Sequence, residues 1–384
     1  MHDLQGKHIV VGITGGIAAY KIPELIRLLR KAGAEVKVTT TKHGLEFVTE
    51  LTLQTLSGHK VYSDVFAAIN DHSTEHISLP EWADLMLIAP ATANVLGKMA
   101  HGIADDALTT TFAAMRKPVL IAPAMNTNMY YSPATQQAMQ TLRTWENITL
   151  LDVAEGELAC GTSGPGRMQE VETIFEAAIA ALTPKTLAGR HIVITAGPTI
   201  ERLDPVRYIS NFSTGKMGRA LADECRRRGA EVTLIMGQIS AREMCEKTVE
   251  AFQSADTAIL CAAVADYRPA TEAPEKIKKT ADTESMTLTL VENPDIAATL
   301  GRMKQKGQRL IGFALETEHE QQNALGKMQR KNLDAIVLNS LRDSGAGFGT
   351  DTNKVTIYKA NGEHQEVPLM SKAEVAQKII DYCL

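Results

Sequence analysis

The sequence predicts two doubly wound, mostly parallel-sheet α/β domains in tandem, of the Rossmann-like or flavodoxin-like kind. Two observations carry this. First, three apolar segments recur in order along the 384 residues. Residues 8–16, HIVVGITGG, return as 191–199, HIVITAGPT; 35–41, EVKVTTT, as 231–237, EVTLIMG; and 84–93, DLMLIAPATA, as 256–266, DTAILCAAVAD. Each is a short β-branched run closed by Gly, Thr, Pro, Ala or Asp, the pattern of a buried parallel strand with a loop at its carboxyl end. Second, the first strand of each copy runs into a helical pattern: Ile17–Ala32, closed by Gly33, and Lys216–Arg228, closed by Gly229. In sheets of this kind ligands bind beyond the carboxyl ends of the strands, so candidate residues are sought there.

Along the chain, Pro23 falls early in the first helix, where a kink is expected. A strand over Val119–Ala122 follows, and an amphipathic helix over Val171–Leu182 closes the first half. Thr183-Pro184-Lys185-Thr186 then precedes a fresh first strand, which puts the boundary near residue 187. The domains expected are 1–182 and 191–384, with 183–190 as linker. The second half ends in β-like stretches, Ala335–Leu338 and Lys354–Tyr358, and a helix over about Ser371–Tyr382.

Composition excludes several classes. With 44% hydrophobic and 22% charged residues the chain has ample core and is not disordered. A mean hydropathy of -0.10, with no apolar run near ~18 residues, argues against a transmembrane helix. The start MHDLQGKHIVVG lacks the pattern of a signal peptide, so a soluble, cytoplasmic protein is expected. Five cysteines without a CxxC pair suit neither a disulfide framework nor a zinc ribbon. Residues 1–182 hold 13 Lys+Arg against 19 Asp+Glu, and the remainder 27 against 26. Neither half is a basic nucleic-acid surface, and no membrane partner is implied.

In the first half, Gly12-Ile13-Thr14-Gly15-Gly16 joins a strand to a helix, an arrangement that either admits an anion or packs helix on strand. It is not GxGxxG, and no GxxxxGK[ST] occurs. Thr39, Ala91 and Thr92 fall at the ends of the second and third strands. Histidine as a residue type suits proton transfer near neutral pH, which makes His76 a candidate, though a lone histidine is more often a surface or structural one. Pro123-Ala124-Met125-Asn126, continuing to Met129, reads as recognition of a polar ligand and a flat ring, or as an Asn-rich turn. Cys160 stands in a loop with three glycines and a proline between 160 and 167, suited to covering a site.

Taken together, Gly-x-Thr-Gly-x-Ile-Ala-Ala-Tyr-Lys, the His-Ile-x-Leu histidine, Pro-Ala-Met-Asn and Ala-Cys-Gly…Gly-x-Gly-Arg-Met resemble the flavin-containing cysteine decarboxylase family across nearly all of 1–182. The resemblance implies FMN, held by Gly12, Thr14, Gly15, Gly16, Thr39, Ala91 and Thr92. It implies that the substrate's cysteinyl part is oxidised by the flavin, loses CO₂, and is then reduced. It assigns His76 to decarboxylation, Asn126 to the substrate carboxylate, and Cys160 as the acid that protonates the enethiol. Oxidation beside sulfur creates the electron sink that loss of CO₂ requires and that a protein without a cofactor lacks. Thr162 stands where relatives frequently carry an acid.

In the second half, about 18 residues separate the first strand from its helix where 2–6 is usual, and long loops at that edge are commonly functional. Thr214-Gly215-Lys216 is no P-loop, because Met217 replaces the Ser/Thr and Ser210 the earlier glycine. Asp266 ends the third strand; Glu275-Lys276-Ile277-Lys278-Lys279 is either a solvated loop or a set of cations for a triphosphate. Asn293-Pro294-Asp295-Ile296-Ala297 reads as a helix start, with Asp295 in its first turn. Lys327 and Lys331 share a helix face, mildly unfavourable unless an anion sits between them.

Ile-Thr-Ala-Gly-Pro-Thr, Ile-Ser-Asn-x-Ser-Thr-Gly-Lys-Met-Gly, Ala-Ala-Val-Ala-Asp, Lys-Ile-Lys-Lys and Gly-Phe-Ala-x-Glu-Thr resemble the phosphopantothenate–cysteine ligase (phosphopantothenoylcysteine synthetase) family from about 187 to the end. That implies activation of a carboxylate by CTP with Mg²⁺ as an acyl-cytidylate, which cysteine's amine displaces. It assigns Arg207 and Asn211 to phosphopantothenate and the acyl intermediate, and Lys276 to activation. Ala262, Asp266, Pro294, Asp295, Ile296, Ala297, Phe313, Lys327 and Lys331 would line the nucleotide site; the metal ligands are left open. The two families catalyse successive steps of coenzyme A biosynthesis, so one bifunctional enzyme is expected, acting on phosphopantothenate, L-cysteine and CTP. The families also imply trimeric decarboxylase units, with FMN near subunit contacts, joined by ligase dimers. The rival readings are a nicotinamide-dependent reductase and a flavoprotein that regulates a partner without catalysis.

Overall fold

The computed structural model describes residues 4–66, 75–157, 163–278, 285–316, 318–340 and 345–384. Cys160 and Thr162 lie outside these residues. The chain divides into two compact units, Met1–Thr183 and Pro184–Leu384.

In the first unit the elements run β1 (His8–Ile13), α1 (Ile22–Lys31), β2 (Glu35–Thr40), α2 (Glu50–Ser57), α3 (Glu75–Trp82), β3 (Leu85–Ala91), α4 (Ala93–Ala100) and α5 (Ala107–Ala114). They continue β4 (Val119–Pro123), α6 (Thr127–Tyr130), α7 (Pro133–Arg143), β5 (Ile148–Leu150), β6 (Ala154–Glu157), β7 (Ser163–Arg167) and α8 (Val171–Leu182). Five strands form a parallel sheet in the order β2-β1-β3-β4-β5, the flavodoxin-like order. Alternation along β1 decides its two faces. Ile9, Val11 and Ile13 pack with α1 and α8, while Val10 joins the cluster of α4, α5 and α7. All seven residues of β3 are buried. The expected first helix begins later than its pattern. Ile17–Lys21 is a 3₁₀ turn and the α-helix starts at Ile22. Pro23, which has no N–H to lose, therefore sits in a first turn instead of kinking a helix interior.

The second unit runs β8 (His191–Ala196), β9 (Glu201–Arg202), β10 (Tyr208–Ile209), α9 (Lys216–Arg227), β11 (Glu231–Met236), α10 (Ala241–Phe252), β12 (Thr257–Leu260), β13 (Tyr267–Pro269) and β14 (Leu290–Glu292). It ends with α11 (Ile296–Met303), β15 (Arg309–Glu316), α12 (Glu320–Arg330), β16 (Ala335–Ser340), β17 (Thr352–Lys359), β18 (His364–Ser371) and α13 (Lys372–Cys383). Its sheet order is β11-β8-β12-β15-β16-β17-β18. The first five strands repeat the parallel order of the first unit, and β17 and β18 add an antiparallel edge. Again the faces alternate: Ile192 and Ile194 pack with α9 and α13, Val193 with α10, α11 and α12.

The repeat extends to a shared hydrogen-bond key. The His8 N–H donates to Asp84 Oδ2 at 2.9 Å, and the Asp84 N–H returns a bond to the His8 carbonyl. His191 and Asp256 make the same exchange at 2.8 Å, and Leu310 and Asp334 at 2.7 Å. Each aspartate immediately precedes a strand and clips it to its neighbour. A one-residue slip would turn every side chain to the wrong face, so such a key has register to protect. Among the described residues, no helix is long and apolar enough to cross a membrane.

Candidate functional sites

Beyond the carboxyl ends of the first sheet lies a cleft of about 1100 Å³. Gly15, Gly16, Thr92 and Asn126, four of the expected residues, line it. Glycine is required at 15, because a Cβ there would stand 2.5 Å from His43 Cβ. Thr14 lies behind the wall: its hydroxyl donates to the Pro90 carbonyl at 2.6 Å and accepts the Thr92 N–H at 3.1 Å, tying the ends of β1 and β3 together. Gly12 is a packing glycine facing Leu108 and Ile88. Thr39 and Ala91 are buried at the ends of β2 and β3. Among the described residues Thr39 Oγ1 has no hydrogen-bond partner, nor does Thr41 Oγ1, whose residue lines the cleft. His76 lies in the first turn of α3 with its Nδ1 buried and without a partner among the described residues, and is not among the residues lining the cleft. Asn126 N-caps α6, its Oδ1 accepting the Asn128 N–H at 2.8 Å, which fixes the amide's orientation.

The walls also hold Lys21, which closes the Gly-x-Thr-Gly-x-Ile-Ala-Ala-Tyr-Lys motif, and residues that no motif singled out: Lys42, His43, Lys98 and Asp106. Their common signal is position after a strand end or on the helix that follows. Lys98 bonds Asp105 at 2.6 Å, which with Asp106 raises its pKa against the opposing effect of burial. Glu170 bridges Lys21 at 2.9 Å and Arg167 at 2.5 Å, and Lys21 holds its carboxyl below the usual range. Met125 and Met129 supply apolar wall. A groove with glycines, cations and a thioether surface can take a phosphorylated, flat-ringed ligand.

In the second unit the long connection is organised by buried acids. Glu201 accepts the Ala241 N–H at 2.9 Å at the start of α10, and Asp204 holds Arg207 through Nε at 2.9 Å and Nη2 at 2.6 Å. Asn211 donates Nδ2–H to the Ala263 carbonyl at 2.6 Å and accepts the Ser213 N–H at 3.0 Å, fastening the loop to the end of β12. Lys276 is exposed, next to Ile277 whose N–H reaches Asp204. Ala262 donates its N–H to Thr195 Oγ1, and the Asp266 carbonyl accepts the Asn293 N–H just before Pro294.

Asp295 is the N-cap of α11, one position before its first turn, with Oδ1 accepting the Ala298 N–H. Its other oxygen pairs with Lys331 at 2.8 Å. Burial opposes ionisation, yet Lys331, the Ala298 N–H and Lys327 together hold this carboxyl below its usual range. Lys327 donates to the Phe313 carbonyl at 3.1 Å, and burial, then Lys331, push its pKa down. Asp295, Phe313, Lys327 and Lys331 are thus one cluster, with Asp266 acting electrostatically on Lys327. Ile296 sends its side chain into the core and Ala297 packs against it, so their polar offering is backbone only. Among the described residues, no group of three or more His, Cys, Asp or Glu side chains could hold a metal ion.

Comparison with known proteins gives both units a class. Residues 1–183 match the flavoprotein family, and residues 187–384 the DNA/pantothenate metabolism flavoprotein C-terminal domain. The chain is 43% identical over 394 residues to the "Coenzyme A biosynthesis bifunctional protein CoaBC" of Vibrio vulnificus, covering 99% of this chain and 98% of the relative. It is 44% identical over 395 residues to the protein of the same name from Bacillus subtilis, covering 98% and 96%. A "Cysteine/Cysteine sulfinic acid decarboxylase" from an unknown prokaryotic organism is 48% identical over 353 residues, covering 87% of this chain and 98% of that one. The class is therefore a flavoprotein decarboxylase followed by a synthetase in one chain. The chain belongs to the family of bifunctional coenzyme A biosynthesis proteins.

Proposed function

We propose that residues 191–384 join 4'-phosphopantothenate to L-cysteine with CTP and Mg²⁺, and that residues 1–182 decarboxylate the 4'-phosphopantothenoylcysteine formed to 4'-phosphopantetheine with FMN. The observation that carries this is the first-unit cleft, in a chain whose family pairs a flavoprotein with a synthetase. Its fit to FMN rests on Gly15 and Gly16, whose lack of side chains keeps the strand–helix turn open, on the orphaned buried hydroxyl of Thr41, and on Lys21, Lys42 and Arg167 as countercharge. When bound there, FMN supplies the reversible two-electron oxidation of the cysteinyl part. The chain's own residues do the rest. Asn126 donates N–H bonds to the substrate carboxylate, His76 serves decarboxylation, and Cys160 delivers a proton to the enethiol carbon.

In the second unit Arg207 and Asn211 hold phosphopantothenate and the acyl intermediate, and Lys276 neutralises charge on the departing pyrophosphate. The Asp295, Phe313, Lys327 and Lys331 cluster, with Asp266, Pro294, Ile296, Ala297 and Ala262, takes the nucleotide. Mg²⁺ accompanies the triphosphate. The assembly is trimeric decarboxylase units joined by ligase dimers, in the cytoplasm. Exposed apolar side chains on each unit support the association, among them Ile17, Tyr20 and Leu51 on the first and Val206, Tyr208 and Phe212 on the second.

Purified protein given phosphopantothenate, cysteine, CTP and Mg²⁺ should release pyrophosphate and CO₂; release of neither sinks the reading. Asn211→Asp should impair ligation but leave decarboxylation of supplied intermediate intact, because it turns the donor facing the Ala263 carbonyl into a second acceptor. Cys160→Ser should permit CO₂ loss but block the final reduction. Free cysteine and cysteine sulfinic acid belong in the same assay, since one relative is named for them. Faster CO₂ release from those would move the decarboxylase reading to the free amino acids.

A further inference from the structure

Asp204 belongs to none of the motifs, yet its carboxylate is densely bonded. Its side chain has no exposed surface and accepts five N–H bonds, from Val206 N and Arg207 N to one oxygen, and from Arg207 Nε, Arg207 Nη2 and Ile277 N to the other. Arg207 Nη2 also donates to the Ile277 carbonyl at 2.6 Å, so Ile277 is held by both its N–H and its C=O. A further bond, Ala273 N–H to the Leu203 carbonyl at 2.9 Å, runs between the same two segments. Segments about seventy positions apart are therefore laced together at one buried anion, with Arg207 on one side and Lys276 on the other. The guanidinium, outweighing burial, and the three backbone N–H groups hold this carboxyl well below the usual range.

We propose that Asp204 is the positioning residue of the ligation site, a buried carboxylate that aims Arg207 and seats Lys276 through the peptide N–H of Ile277. This rests on the ligase reading given above. It differs from a merely structural ion pair because both ends of the lacing carry residues assigned to the reaction. A guanidinium bound bidentately loses its rotational freedom, so its exposed part meets substrate from one direction. A flexible lysine whose following residue is fixed at both its N–H and its C=O sweeps a smaller volume.

The test is Asp204→Asn in the full chain, with Asp204→Glu beside it. Asparagine keeps the shape but turns one acceptor into a donor, pointing N–H at N–H. With that anchor broken Arg207 and Lys276 leave their positions, and a misplacement of about 1 Å costs on the order of 100-fold in rate. Ligation kcat/KM for phosphopantothenate should fall by about that factor, with the KM for cysteine changed less than about twofold, while decarboxylation of supplied 4'-phosphopantothenoylcysteine stays at the wild-type rate. Asp204→Glu, retaining the charge, should recover part of the loss. Combined with Arg207→Gln, Asp204→Asn should lose little more than the worse single variant. Independently of any activity, brief trypsin treatment followed by mass spectrometry should show faster cleavage after Lys276 in Asp204→Asn. Wild-type ligation kinetics, or an unchanged cleavage rate at Lys276, overturns the proposal. If the wild-type chain itself releases no pyrophosphate, the ligase reading fails instead, and the trypsin comparison still decides whether Asp204 holds Ile277.

Discussion

Lys327 shows how a single side chain can report its ligand. Burial and Lys331 depress its pKa, so in alkaline buffer more of it is neutral than of an ordinary lysine. A triphosphate beside it favours the ammonium and drives the pKa back up. Nucleotide binding there should therefore take up protons, seen as a dependence of calorimetric binding heat on the buffer's ionisation enthalpy, and Lys327→Met should abolish it. Buffer-independent heats in the wild type would place the nucleotide elsewhere. The pairing of Lys327 with Lys331 was legible from their spacing; that Asp295 already neutralises Lys331 was not, because it depends on a cap one helix away. Asp204 was illegible for the same reason. Followed by Pro205, it reads as a turn residue, and its partner Ile277 lies 73 positions on.

At the scale of elements, period and punctuation told most of the story. The repeated β-branched runs located three adjacent parallel strands in each sheet, and Val171–Leu182 is the helix its pattern predicts. The strand His364–Ser371 went unread because it is an edge strand: Pro368 interrupts it and Val367 is its one fully buried side chain. The junction of α9 with β8 offers a sharp check. A Cβ on Gly218 would overlap the Ala196 side chain and lie 3.3 Å from the Thr195 carbonyl, so Gly218→Ala must push the helix off the sheet. Urea unfolding of the second unit should lose about 1–3 kcal/mol, and an unchanged midpoint would mean the helix shifts at no cost.

For the whole molecule, each unit carries its own sheet and its own pair of core clusters. Thermal unfolding should therefore show two transitions. Flavin absorbance should change with one alone, and CTP with Mg²⁺ should raise only the other, by about 2.7 kcal/mol when the ligand is at a hundred times its Kd. A single transition moved by both ligands would contradict that independence. Beneath this lies the key repeated at Asp84, Asp256 and Asp334, set at the amino ends of the strands, opposite the crevices. Alignment of each sheet is thus settled at the rim away from its crevice. A lineage carrying such keys is free to rewrite the loops at the far rim, exchanging one chemistry for another, without relearning how to fold.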